Sequence, residues 1–330
     1  MLDSTSLNKD APRIAVAGSV SFTRVTLEGL LRHHANVVGV LGLSDSAAAN
    51  VSDYARMDDL ARSAGIPYAD FTSINDPAIV DLVRSWSPDI LFVIGSQLVR
   101  KELMSVPRRG CVSFHPTALP RGRGRAPVAW LTWDGIPGAA TFFQIDEGVD
   151  TGPILVQESF PVGKTATSTQ VVEEVRAAIG RALDRWVPRL NAGEWKPEPQ
   201  DESKATYNSK RTEKDGLIDW RLPATEIDRL IRTAGRPYPG AYTFAGDSKV
   251  IIWRAEIDRK SPHRGVIGRV LEADGESFLV QTGDGLLRLR EIEILGTRKI
   301  IAGTTLGYSV EDEIYELRRR IAELEAQLKR

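Results

Sequence analysis

Cysteine occurs once in 330 residues, at Cys111, so no disulfide can form within the chain and no cysteine-rich metal site can be built. A lone cysteine suits a reducing compartment, and the expected location is cytoplasmic. Histidine is almost as scarce, with four residues at no metal-ligand spacing, and no metal is expected. Long apolar runs are missing too: none is long enough to span a bilayer, and the opening "MLDSTSLNKDAPR" lacks the apolar core of a signal peptide, so no membrane partner is expected. Charge of one sign is not in excess, with 43 Lys and Arg against 44 Asp and Glu, which leaves no global electrostatic footprint for nucleic acid. Glycine patterning for nucleotide phosphates is also wanting. "GSVSFT" after the first strand is not G-x-G-x-x-G, and "VGKT" at 162–165 lacks the upstream glycine of a phosphate loop.

What remains is an ordinary globular balance, 42% hydrophobic and 26% charged, over a length that suits two domains and an appendage. From Arg13 onward, apolar runs ("RIAVAG", "ANVVGVLGL", "DILFVIG", "GCVSFH") alternate with amphipathic segments ("TRVTLEGLLRHH", "YARMDDLARSAG", "DPAIVDLVRSW"). That alternation predicts an α/β fold, a doubly wound and mainly parallel sheet, over residues 13–200 after a disordered lead at 1–12. A polar stretch then shifts the composition, and short alternating strands over 201–305 predict a small β-rich, barrel-like domain. At 309–330, Val310, Ile314, Leu317, Ile321, Leu324 and Leu328 follow alternating spacings of four and three, a heptad seam. Ser309 with Asp312 forms a helix-start signal, and Lys329 and Arg330 suit the negative end of the helix dipole. The helix serves either to pair with a second copy, giving a homodimer, or to pack onto its own chain.

Ligands of such sheets bind beyond the carboxyl ends of the strands. His115 ends the run "GCVSFH" there and opens a loop rich in Pro, Gly and Arg. A second strand, "GAATFFQI", leads into "DEGVDTGPI", a loop of carboxylates and glycines at 146–154. The two loops are expected to converge, with Asp150 orienting His115 and raising its pKa so that the imidazole is cationic or exchanges protons. The structural alternative is that His115 caps one turn and Asp150 starts another. Arg121 and Arg123 are read as solvated loop residues.

"SFHPTALPRGRGRAPVAW" followed by "ATFFQIDEGVDTGPIL" resembles the signature of formyltransferases that use 10-formyltetrahydrofolate, Asn-x-His-x-x-Leu-Leu-Pro-x-x-Arg-Gly with a later D-x-G loop. "KDGLIDWRLPATEIDRLIRTAGRPYPGAYTF" resembles the start of the C-terminal domain shared by methionyl-tRNA formyltransferases and some sugar N-formyltransferases. The resemblance implies His115 and Asp150 as catalytic residues acting through a tetrahedral oxyanion. It implies Arg125, the loop Asp146, Glu147, Gly148, Val149 to Asp150, and the backbone near Ile94 and Gly95 as folate contacts. The signature's asparagine is replaced by Ser113, whose shorter side chain is the expected remaining oxyanion donor. Loss of such a donor lowers rates roughly 100- to 1000-fold.

For the acceptor, the tRNA-binding members carry a basic insertion after the second strand, whereas "LSDSAAANVSDYA" contains no Lys or Arg. The expected partner is therefore a nucleotide-linked amino sugar, as in surface-polysaccharide biosynthesis, and not a nucleic acid. Methionyl-tRNA is the alternative acceptor. A folate or nucleotide-sugar binder that has lost catalysis with the asparagine is the alternative of another class.

Overall fold

Buried apolar runs set the sheet that carries the site. In the computed structural model, which describes residues 11–49, 51–307 and 310–328, the first unit runs in chain order as follows. It contains β1 (Ile14–Gly18), α1 (Ser21–Arg32), β2 (Val37–Leu43), α2 (Asp58–Ser63), β3 (Tyr68–Phe71), α3 (Pro77–Ser85) and β4 (Ile90–Ile94). There follow α4 (Lys101–Met104), β5 (Gly110–His115), β6 (Arg123–Gly124), α5 (Pro127–Asp134), β7 (Gly138–Gln144), β8 (Ile154–Phe160), α6 (Ser168–Asn191) and β9 (Tyr207–Asn208). Seven strands form one sheet in the order β3-β2-β1-β4-β5-β7-β8. Its first five members pair parallel and β7 and β8 antiparallel. Every residue of β1 and β4 is buried, as strands covered on both faces require.

Local chemistry fixes the helices. Asp76 caps α3 by accepting from Ala78 N, with Pro77 in the first turn, and Thr167 with Gln170 makes a capping box on α6. Gly29 lets α6 approach α1, because a Cβ there would stand 2.4 Å from Leu183 Cδ1. The helix expected from Tyr54 starts only at Asp58. Tyr54 forms a β-bridge with Val20 and Ala55 N donates to the Ser19 carbonyl at 3.0 Å, so the backbone ahead of Asp58 is committed outside the helix.

The first compact unit extends to Arg211 and the second begins at Thr212, beyond the expected break at 200/201. The polar stretch that shifts the composition is paired: β9 lies parallel to β6, and Gly124 is tight against it, a Cβ there meeting Asn208 O at 2.4 Å.

The second unit is β-rich, as expected. It comprises α7 (Ala224–Ala234), β10 (Ala241–Ala245), β11 (Ser248–Asp258), β12 (Val270–Ala273), β13 (Phe278–Gln281) and β14 (Leu286–Leu295). The strands form an antiparallel sheet, β10-β11-β14-β13-β12. No ladder joins β10 to β12 among the described residues, so the barrel-like unit is not closed by hydrogen bonds. The last element is α8 (Val310–Leu328), whose described side chains are all exposed. Residues 1–10 of the lead, Ser309, the side chain of Asp312, Lys329 and Arg330 lie outside the described residues.

Candidate active site

Strands β4 and β5 part before they end. Their register runs from Ile90 opposite Gly110 to Phe92 opposite Val112 and stops, although both strands continue. In the gap, the Ser113 hydroxyl donates to the Val93 carbonyl at 3.0 Å, satisfying an acceptor that the ladder leaves over. On this face lies a cavity of about 490 Å³ whose wall includes Val93, Gly95, Ser113, Phe143 and the loop from Asp146 to Asp150. The volume falls in the range of small-molecule sites.

The two expected loops do meet, by a route the sequence does not show. Because β7 is antiparallel to β5, its carboxyl end sits beside Val112, and Ile145 N donates to the Cys111 carbonyl at 2.8 Å. The chain must turn back along β5 to bring Asp150 to His115. Asp146 makes the turn, its Oδ1 accepting from Gly148 N at 3.0 Å and Thr151 Oγ1 at 2.6 Å. Gly152 completes it: a Cβ there would lie 1.6 Å from the Gln144 carbonyl oxygen. Asp150 adopts φ 55°, a left-handed conformation that Asp and Asn tolerate better than most residues.

His115 is 5% exposed, on the same face of β5 as Ser113, and does not itself reach the cavity wall. Its Nε2 donates to the Gly122 carbonyl at 2.8 Å. A carbonyl only accepts, so Nε2 carries a proton and the ring turns its Nδ1 toward Asp150. Nδ1 stands 3.6 Å from Asp150 Oδ2, and that oxygen accepts from Gly124 N at 2.8 Å. The expected rise in the imidazole pKa is not what the environment produces. Burial pushes it below its ordinary 6.5, opposed by the Asp150 charge and the Gly122 hydrogen bond. The arrangement is a neutral base behind a carboxylate that faces the cavity.

One guanidinium holds this loop in place. Arg123, read from sequence as solvated, is fully buried. It donates to Gln200 Oε1 at 2.9 Å, Glu202 Oε2 at 2.8 Å and the Tyr207 hydroxyl at 2.9 Å. Its neighbours Gly122 and Gly124 are the two residues that bond His115 and Asp150. Gln200 in turn donates to the carbonyls of Asp150, at 2.9 Å, and Gly152, at 2.6 Å. Segment 200–208 thus ties both catalytic-loop candidates together.

Of the residues expected to contact folate, Gly95, Asp146, Glu147, Gly148, Val149 and Asp150 line the cavity, as does Ser113. Arg125 is exposed and away from its wall, and Ile94 is fully buried beneath it. Counted from His115, the signature's Arg-Gly pair falls on Arg123–Gly124, so the spacing itself could have singled out Arg123 over Arg125. Lys101, Met104 and Phe143 also line the cavity, without any sequence signal that pointed to them. Among the described residues no group of three or more His, Cys, Asp or Glu is arranged to hold a metal, and no helix is long and apolar enough to cross a membrane.

A mixed sheet thus carries a carboxylate-faced cavity at its parted strands, and a β-rich unit follows it. Residues 12–187 match the family "Formyl transferase" and residues 210–307 its C-terminal domain, and the chain belongs to this formyltransferase family. It is 31% identical over 294 residues to the methionyl-tRNA formyltransferase of Syntrophomonas wolfei subsp. wolfei, covering 87% of this chain and 93% of that protein. The methionyl-tRNA formyltransferase of Acidithiobacillus ferrooxidans is 29% identical over 309 residues, covering 92% of this chain and 98% of the relative. Among solved structures, the N-formyltransferase of Helicobacter canadensis, in complex with folinic acid and dTDP-3-aminofucose, shares the fold with a TM-score of 0.63. Its identity is 16%, with 85% of this chain and 99% of that one covered.

Proposed function

We propose that the chain transfers the formyl group of 10-formyltetrahydrofolate to a primary amine in the first unit's cavity, with Asp150 and His115 handling the proton. The observation that carries this reading is that Asp150 both faces the cavity and stands 3.6 Å from Nδ1 of His115. The cavity suits a reduced pterin. Phe143, Ile145 and Val93 offer apolar walls, and Ser96 Oγ is buried in the wall without a hydrogen-bond partner among the described residues. Lys101, exposed on the lining, suits the carboxylates of a folate tail.

The folate supplies an activated formyl carbon. A bond forms from the acceptor nitrogen to that carbon, the bond to the folate nitrogen breaks, and one proton passes from the acceptor to the departing nitrogen. Asp150 takes the proton as the acceptor nitrogen gains positive charge, and His115 Nδ1 holds or returns it. Gly122 and Gly124 keep the pair in register, and burial keeps the ring neutral and able to accept. Ser113 has its hydrogen on Val93 and gives the oxyanion nothing without breaking that bond.

For the acceptor, methionyl-tRNA is the reading the relatives support best, since two of them carry that name and align over nearly their whole lengths. The amino-sugar reading drawn from sequence has a narrower support. Residues 44–55 contain no Lys or Arg, and the first cation after them, Arg56, is bound to Asp45 and Asp58 at 2.9 Å each. A phosphate backbone would find no free positive charge on that stretch. The discriminating assay gives the full chain 10-formyltetrahydrofolate with methionyl-tRNA, and separately with dTDP-, UDP-, GDP- and CMP-linked amino sugars, and follows release of tetrahydrofolate. Release with methionyl-tRNA is expected. Release with a sugar alone transfers the assignment to sugars, and folate binding without release on any amine overturns the transferase reading.

A further inference from the structure

We propose that α8 pairs with α8 of a second copy of the chain as a parallel, in-register, two-stranded coiled coil. The stripe needs a cover. Val310, Ile314, Leu317, Ile321, Leu324 and Leu328 are each between 45% and 88% exposed, on one side of a 19-residue helix about 28 Å long. An isolated helix of this length is marginal in water, so its apolar stripe is stabilised by packing against a partner.

Sequence chemistry selects the partner and its direction. The spacing of three from Ile314 to Leu317 fixes the heptad. Ile314, Ile321 and Leu328 occupy its first core position, and Val310, Leu317 and Leu324 its second. In the inner layers, isoleucine at the first (Ile314, Ile321) with leucine at the second (Leu317, Leu324) favours two parallel strands, and only the end layers, Val310 and Leu328, depart from this pattern. The flanking charges agree. In a parallel pair each residue before the first core position faces the partner residue five places further on. Glu313 then meets Arg318 of the partner subunit, and Arg320 meets Glu325 of the partner subunit, opposite charges both times. An antiparallel pair overlapping along the whole helix, Ile314 against Leu324, would instead set Arg318 beside its own copy and Arg320 beside its own copy. The outward face is already satisfied within the helix: Arg319 bonds Glu316 at 2.6 Å and Glu323 at 2.7 Å. Among the described residues of the outward face, Glu316, Arg319 and Glu323 are paired with one another.

Light scattering on the full chain should give twice the 36.3 kDa chain mass. The Leu317→Glu/Leu324→Glu variant should be monomeric with unchanged thermal unfolding of the rest, since both side chains are exposed in one copy. Glu313→Arg should weaken dimerisation roughly tenfold by turning two attractions into repulsions, and adding Arg318→Glu should restore it. A Leu324→Cys variant should form a disulfide-linked dimer on oxidation, because the parallel register places the two equivalent positions face to face. A monomeric wild type at the highest concentration reached, a trimer, a dimer that survives the double glutamate change, or no cross-link at position 324 overturns the proposal.

Discussion

Ser113 sits where the resembled signature carries asparagine, and its hydroxyl hydrogen is committed to Val93 at 3.0 Å. Replacing it by alanine should lower stability by about 1 kcal/mol, for one unsatisfied carbonyl, while leaving turnover within about threefold. A loss of 100-fold would mean that the hydroxyl serves the reaction after all. His115 yields a second expectation, from burial pushing its pKa below 6.5. As pH falls through 6.5 the unfolded chain takes up a proton that the folded chain refuses. The stability this imidazole contributes above that pH is therefore lost toward acid. If it acts as the base, kcat/KM should hold level down past pH 6.5 before it falls; a limb at 7 or above would show an imidazole whose pKa is raised. Cys111 is simpler: burial pushes its thiol up to about 12, so a thiol reagent should find none in the native protein and one after unfolding. These residues were visible in the sequence, but their hydrogen-bond partners were not. The Ser113 bond depends on where β4 and β5 part, and the imidazole's pKa depends on how much chain covers it.

At the level of elements, strands announced by unbroken apolar runs were legible, "GCVSFH" among them. The direction of β7 was not, because "GAATFFQI" reads the same in a parallel and an antiparallel strand, and only the antiparallel one forces the loop from Asp146 to fold back over β5. The order of segment 200–208 was not legible for a related reason. Its residues are polar, and they are ordered by bonds to Arg123, Gly122 and Asp150 and not by burial of apolar surface. Two variants test that role. Glu202→Ala leaves a buried guanidinium short of its exposed countercharge and should lower the thermal unfolding midpoint of the first unit. Gln200→Ala frees the carbonyls of Asp150 and Gly152, and kcat should fall about tenfold or more through displacement of the carboxylate. The accompanying sign of a positioning role is a shifted acid limb in the pH profile; loss of folded protein with an unchanged profile per folded molecule would reduce Gln200 to a stabilising residue.

Over the whole molecule, composition excluded disulfides and cysteine-rich metal sites, and strand-helix alternation followed by short strands gave both architectures in the right order. It could not choose an acceptor, since the sequence reading turned on one loop without basic residues while relatives aligned over nearly the full length are methionyl-tRNA formyltransferases. The catalytic claim is independent of that choice and rests on Asp150. Asparagine tolerates the left-handed backbone found there and can still accept from Gly124 N, so Asp150→Asn changes the proton chemistry and little else. The decisive measurement is kcat for release of tetrahydrofolate by this variant with the preferred amine, alongside folate binding. A fall of about 100-fold or more with folate affinity kept is expected, and turnover within a few-fold of wild type would contradict the account.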